Sequence, residues 1–191
     1  MAKKINISAP IILFLLLICY PTFSNWISDD SSKIVKPPVL MDPNVDLYQA
    51  GDIYLGGQPK TETLDTLLSL GLTLVINIRT EQEIATQIFE GYDEESYAKE
   101  IGLEYVHIPI GGATGYTPEA IAEIENSIND TNGKILIHCR SAGRATLAWM
   151  AWLVRFKDYS IDDAVKLGKM VKFTFPLEEL LGYPISMHKE E

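Results

Sequence analysis

The sequence predicts an α/β protein with a mainly parallel central sheet of four to five strands and helices on both faces. Two observations carry this. Leu72–Ile78 and Lys134–His138 are short, continuously apolar runs, which suit strands buried on both faces. Amphipathic stretches of helical period alternate with such runs, and strand, helix, strand in that order implies right-handed βαβ crossovers. Composition agrees: 191 residues at 47% hydrophobic and 22% charged describe one globular domain and exclude a disordered or collagen-like chain.

In chain order, Lys3 and Lys4 precede an apolar run from Pro10 to Tyr20, and Thr22-Phe23-Ser24 places small residues at −3 and −1 of a cleavage site. Residues 1–24 are therefore expected to be an export signal, giving a periplasmic or secreted protein; an uncleaved membrane anchor is the alternative. Asn25 to Asp46, with Pro37-Pro38 and several Ser and Asp, reads as an extended tether, leaving 47–191 as the domain. Ile53-Tyr54-Leu55 is a strand closed by Gly56-Gly57-Gln58-Pro59, and Leu64, Leu67 and Leu68 mark a helix ended by Gly71. Leu72–Ile78 follows as a strand, then a helix over Asp93 to Ile101 and a strand over Leu103 to Ile110. Thr117-Pro118-Glu119 opens a helix with an N-cap, a proline at its first position and an acid in its first turn. After Lys134–His138 come helices at Ala145 to Phe156, after the capping residues Ser160 to Asp163, and at Leu177 to Leu181.

Lys+Arg 16 against Asp+Glu 26 gives a formal charge of −10, which disfavours nucleic acid and anionic lipid as partners. An anion must be held locally, by a built site. No His, Cys, Asp and Glu spacing resembles a zinc site, and no metal or organic cofactor is expected. Loss of residues 1–24 leaves Cys139 as the one thiol, a candidate for chemistry or, more commonly for a lone cysteine, a buried apolar residue.

The chemistry concentrates at the end of the last buried strand, Ile137-His138-Cys139-Arg140-Ser141-Ala142-Gly143-Arg144-Ala145-Thr146. A strand that stops at a cysteine, a small-residue loop and a helix starting at an arginine wrap backbone N–H groups around an anion. The helix N-terminus adds partial positive charge, and Arg144 offers two parallel donors. The same features favour the thiolate of Cys139, at the carboxyl end of a parallel strand where open α/β sheets place ligands.

His138-Cys139, a short loop and an arginine resemble the phosphate-binding loop of cysteine-dependent tyrosine and dual-specificity phosphatases. Gly51–Pro59, Val75–Arg79 and Gly102–Ile110 resemble the corresponding upstream strands, so the likeness runs from about Tyr48 to Lys172. Within that superfamily the chain is similar to bacterial phosphatase-like domains related to the N-terminal part of beta-lactamase hydrolase-like proteins. The resemblance implies Cys139 as nucleophile, Arg144 as the phosphate fork, Arg140, Ser141, Ala142 and Gly143 as the binding loop, and His138 as a neighbour that orients the cysteine or is simply bonded into the core. Thr146 is a candidate donor to the sulfur, or polar filler. It also implies a phosphorylated protein or small phosphoester as substrate.

Two departures qualify this. Four residues separate Cys139 from Arg144 where common phosphatases have five, which is also the loop length of rhodanese sulfurtransferases. Gly111 to Pro118 carries no carboxylate where dual-specificity phosphatases keep their general acid, and the nearest acid, Glu119, reads as helix N-terminal charge. Losing general acid catalysis costs ~10²–10⁴-fold. Two alternatives therefore stand beside the phosphatase: a sulfurtransferase carrying a persulfide on Cys139, and a module that binds a phosphorylated or sulfated ligand without turnover. Arg79 is expected in a structural ion pair, Trp149 and Trp152 in the core, and Lys166, Lys169 and Lys172 on a solvated helix face. Oligomeric state is not legible.

Overall fold

The computed structural model describes residues 36–112, 115–174 and 176–185. The export-signal reading of residues 1–24 and the tether reading of residues 25–35 lie outside them. Among the described residues the strands are β1 (Val39–Asp42), β2 (Leu47–Ala50), β3 (Ile53–Gly56), β4 (Leu72–Asn77), β5 (Glu104–His107) and β6 (Lys134–His138). The helices are α1 (Thr61–Ser69), α2 (Glu81–Phe89), α3 (Glu94–Glu100), α4 (Pro118–Asn129), α5 (Gly143–Phe156), α6 (Ile161–Gly168) and α7 (Leu177–Leu181).

One sheet runs in the order β1-β2-β3-β6-β4-β5. β3, β6, β4 and β5 pair in parallel, while β1, β2 and β3 form an antiparallel meander. Because side chains alternate across a strand, one row of residues faces each side. Leu55, Ile137 and Ile76 sit in register and pack, with Trp149, under the layer of α4 to α7. Tyr54, Leu136 and Val75, one residue back, face the opposite layer with Leu64 of α1 and Ala98 of α3. The strands read as continuously apolar for this reason: both rows are covered. Trp149 is fully buried, as expected of a core residue.

The structure departs from the sequence reading in three places. The sheet has six strands rather than four to five, because residues 39–42 and 47–50 add an antiparallel hairpin to its edge. Residues 39–46, read as the end of a tether, are thus ordered. Asp42 caps a short 3-10 turn, its carboxylate accepting from the Asn44 N–H, and Asp46 takes a left-handed conformation that sends the chain into β2. Helix α2 was not read at all. It opens with a full capping box, in which Thr80 accepts from the Glu83 N–H and Glu83 accepts from the Thr80 N–H. The fifth strand stops at His107, although the Ile108 and Ile110 N–H groups still donate to the Asn77 and Ile78 carbonyls.

Candidate active site

Cys139 follows β6, which is bonded to β3 on one side and β4 on the other, and is therefore placed by the centre of the sheet. Its N–H donates to the Gly56 carbonyl at 3.1 Å. Residues 140–143 then turn back into α5. The turn is tight enough to hold Ala142 at φ 60°, a left-handed conformation that a residue with a Cβ adopts at a cost of ~1–2 kcal/mol. Thr146 secures it, its N–H and hydroxyl both donating to the Ala142 carbonyl, at 2.8 and 2.9 Å. In this arrangement the single hydroxyl proton of Thr146 braces the loop.

The segment after β3 supports the loop from outside. Gln58 N–H donates to the Arg140 carbonyl and Gly57 N–H to the Val45 carbonyl. A Cβ at Gly57 would stand 2.8 Å from the Val45 oxygen and 3.2 Å from the Arg140 oxygen, so only glycine allows this approach. With the carbonyls engaged on that side, the N–H groups of Arg140, Ser141 and Arg144 have no partner among the described residues. They form the free amide set expected of an anion-binding loop at a helix start.

Arg144 projects from the first turn of α5. Its Nη1 donates to Glu83 Oε2 at 2.8 Å and to the Ile110 carbonyl at 2.9 Å, and its Nη2 donates to Glu83 Oε1 at 2.6 Å. A guanidinium has five N–H donors on two usable edges. Glu83 takes the Nη1/Nη2 edge. The Nε–H and the second Nη2 hydrogen remain without partners among the described residues, leaving one edge for a second oxyanion. Burial works against the Arg144 charge, but the hydrogen bonds it donates to Glu83 and the Coulombic attraction of that carboxylate prevail and raise its pKa above the ordinary value. Burial likewise pulls the Glu83 carboxyl upward. Hydrogen bonds from Arg144 and Thr80 prevail and hold its pKa at about 2.

A buried polar network runs beneath the loop. His138 Nε2 lies 2.8 Å from Glu94 Oε1, with the two side chains 0% and 3% exposed, and His138 Nδ1 lies 3.3 Å from the Cys139 carbonyl oxygen. Glu94 Oε2 accepts from Gln58 Nε2 at 2.8 Å and Asn77 Nδ2 at 3.2 Å. Arg79 forms the expected structural ion pair, its Nε 3.8 Å from Glu83 Oε1, but as a buried rather than a surface residue, also donating to the side chains of Gln58 and Gln87 and, at 3.1 Å, to the Glu83 carbonyl. Glu83, Glu94 and Gln58 are the residues that sequence reasoning missed as parts of the site. Glu83 left a legible signal in the Thr80-x-x-Glu83 capping pattern; Glu94 left none, since an acid in a first turn is ordinarily a solvated one.

Beside Arg144 lies a cleft of about 530 Å³ lined by Thr80, Gly111 and Thr117 and by the carboxylates Glu81, Glu119 and Glu123. Ser141 and Arg140 are exposed, Ala142 and Gly143 buried. The structure thus brings together Cys139, the 140–143 loop, Arg144, His138 and Thr146. Lys172, expected on a solvated helix face with Lys166 and Lys169, lies beyond the end of α6 and donates to Asp46 at 2.9 Å.

The arrangement has recognisable relatives. A beta-lactamase hydrolase-like protein of Xylella fastidiosa is 32% identical over 96 residues, 50% of this chain and 22% of that protein. Human dual specificity protein phosphatase 9 is 26% identical over 174 residues, 85% of this chain and 42% of that protein. The chain therefore spans less than half the length of these curated relatives. Among solved structures, Tk-PTP in its active form superposes with a TM-score of 0.55 at 22% identity, covering 69% of this chain and 92% of that one. P. aeruginosa TpbA gives a TM-score of 0.53 at 13% identity, covering 68% and 75%. Identities this low establish the fold. The family described as beta-lactamase hydrolase-like protein, phosphatase-like domain, matches residues 51–153, a span that takes in β3, the supporting Gly57-Gln58, Glu83, Glu94 and the Cys139–Arg144 loop. On that match over more than half its length, the chain belongs to the phosphatase-like domain family of the beta-lactamase hydrolase-like proteins.

Proposed function

We propose that this chain is a cysteine-dependent phosphatase that hydrolyses phosphoesters, either phosphotyrosine in proteins or small phosphomonoesters, through a cysteinyl-phosphate on Cys139. The divided guanidinium of Arg144 carries this reading: one edge is clamped by Glu83 and the other is left open beside Cys139 and the free loop amides. The thiolate attacks phosphorus, an S–P bond forms and the ester P–O bond breaks. The Nε/Nη2 edge and the N–H groups of Arg140, Ser141 and Arg144 hold the equatorial oxygens as charge redistributes. Water then attacks phosphorus, the S–P bond breaks, and phosphate leaves with the thiolate restored.

Protonation of the leaving oxygen is the weak step. Gly111 to Pro118 contains no carboxylate, and Glu83, with its pKa held at about 2, has no proton to give at neutral pH. Aryl esters, whose phenolate leaves unaided, are therefore favoured over alkyl esters. The names of similar proteins support the class: the human relative is a dual specificity phosphatase, and one TpbA structure is a complex with phosphotyrosine. Residues 1–24 are proposed to direct export, which N-terminal sequencing of the cell-derived protein checks.

The test compares p-nitrophenyl phosphate hydrolysis by the full chain and by C139S with chelator present. Turnover that survives chelation and disappears in C139S is expected. Equal inactivity of both proteins, alongside cyanide-dependent discharge of sulfur from thiosulfate, would replace this reading with sulfur transfer.

A further inference from the structure

Resting on that reading, we propose that Arg140 and Arg79 build a second oxyanion subsite next to the catalytic loop, so that the preferred substrates are small aryl phosphoesters carrying a further phosphate. The chain has four arginines and a formal charge of −10, yet three of them, Arg79, Arg140 and Arg144, gather where the 140–143 loop meets the start of α2. Arginine is the side chain suited to phosphate. Arg144 serves the reacting group. Arg79 and Arg140 both line two adjoining clefts of about 350 and 370 Å³.

Arg140 can reach from one phosphate to the next. Its N–H belongs to the loop that holds the reacting group, while its side chain is exposed and has no partner among the described residues. Arg79 is buried and fixed, with Nη1 donating to Gln58 and Gln87 and Nη2 to the Glu83 carbonyl. Its Nε–H makes no hydrogen bond and stands 3.8 Å from Glu83 Oε1, an oxygen that Arg144 already engages at 2.6 Å. One carboxylate thus answers two guanidiniums. Gln87, 7% exposed, turns its oxygen to Arg79 and leaves Nε2 without an acceptor, and the Tyr92 hydroxyl has none either. Both residues line the larger of the two clefts. Burial and then the Glu94 charge push the Tyr92 phenol upward, so it stays a donor. Walls with donors in excess of acceptors and surplus positive charge favour an oxyanion. The opposing charge in both clefts, Glu90, is solvent-exposed. The cleft beside Arg144 holds Glu81, Glu119 and Glu123 and would repel a second phosphate, which leaves the Arg79–Arg140 side to accept it.

The experiment measures dissociation constants with the full chain carrying C139S, which binds without turnover. The ligands are phenyl phosphate and the ortho, meta and para benzene bisphosphates, at one ionic strength. At least one bisphosphate is expected to bind about tenfold tighter than phenyl phosphate, the scale of an added charge-assisted contact. R140Q in the same background is expected to remove most of that ratio, whatever it does to phenyl phosphate, and E90Q to raise it; thermal melts verify folding. Ratios near one for all three bisphosphates would overturn the proposal. So would a ratio that R140Q leaves unchanged or that E90Q lowers. Hydrolysis of phenyl phosphate by wild type is followed separately. Its absence would sink the functional reading while the binding ratios still decide the subsite, and turnover with no bisphosphate preference would overturn the subsite alone.

Discussion

Arg144 and Glu83 divide one guanidinium between structure and ligand, so substitutions at the two residues should behave differently. R144K retains a charge but cannot present two parallel donors while also bonding Glu83 and the Ile110 carbonyl. It is expected to lower kcat/KM for p-nitrophenyl phosphate by about 10²–10³-fold, the scale for losing preorganised transition-state donors, with the melting temperature changed far less than the rate. Cys139, Arg144 and the loop between them were legible because they are neighbours in sequence and their chemistry is local. Glu94 was not, and Glu83 signalled a helix cap but not its partner. Glu83 meets Arg144 across 61 positions, and only the sheet order brings the start of α2 against the start of α5. Arg79 meets its expected ion pair in Glu83, but its burial was hidden for the same reason: an arginine after a strand ordinarily reaches solvent, whereas this one is roofed by Gln58, Gln87 and the first turn of α2.

Helix α2 shows how one carboxylate joins an element to the site. Glu83 Oε2 accepts both the Thr80 N–H of the capping box and an Arg144 hydrogen, so the start of α2 and the orientation of the fork are one arrangement. The helix escaped notice because it buries Gln87 rather than an apolar stripe, whereas α4 declared itself by its Thr117 cap and α5 by a long apolar run. The turn after β3 works similarly. In G57A the new Cβ meets backbone oxygens, which cannot rotate away, so the loop must move. We expect a loss of ~1–3 kcal/mol, as for other overpacked positions, with lowered activity, measured by urea unfolding and p-nitrophenyl phosphate assay. Between α5 and α6 a Cβ at Gly168 would stand 2.1 Å from the Met150 sulfur. G168A should therefore lose stability while leaving KM unchanged, because the contact lies away from the loop.

For the whole molecule, the Glu83–Arg144 pair ties stability to pH. The unfolded Glu83 carboxyl takes its proton near pH 4.5 and the native one near 2. As pH falls the unfolded chain binds the proton first, so the stability that the Glu83 carboxylate gains from Arg144 and Thr80 is complete above about pH 5 and is lost between pH 4.5 and 2. The shift corresponds to at most about 3 kcal/mol. Urea unfolding from pH 6 to 2.5 should show that slope in wild type and a shallower one in E83Q. The fold itself was legible in its parallel half, where apolar strands alternate with helices. The β1–β2 hairpin was hidden by Pro37-Pro38 and by an edge position whose side chains Val39, Leu40 and Met41 remain exposed, so no burial pattern marked it.

The place of β6 in the middle of the sheet has a consequence for how the molecule comes apart. Local opening begins at fraying edges, and amides bonded on both sides of a central strand exchange with solvent only when the whole domain unfolds. Hydrogen–deuterium exchange should therefore find the Leu136 and Ile137 amides among the slowest in the chain and those of Val39 and Leu40 among the fastest described. A nucleophile anchored to that strand outlasts every partial opening of the edge, and heat inactivation should follow global unfolding rather than precede it.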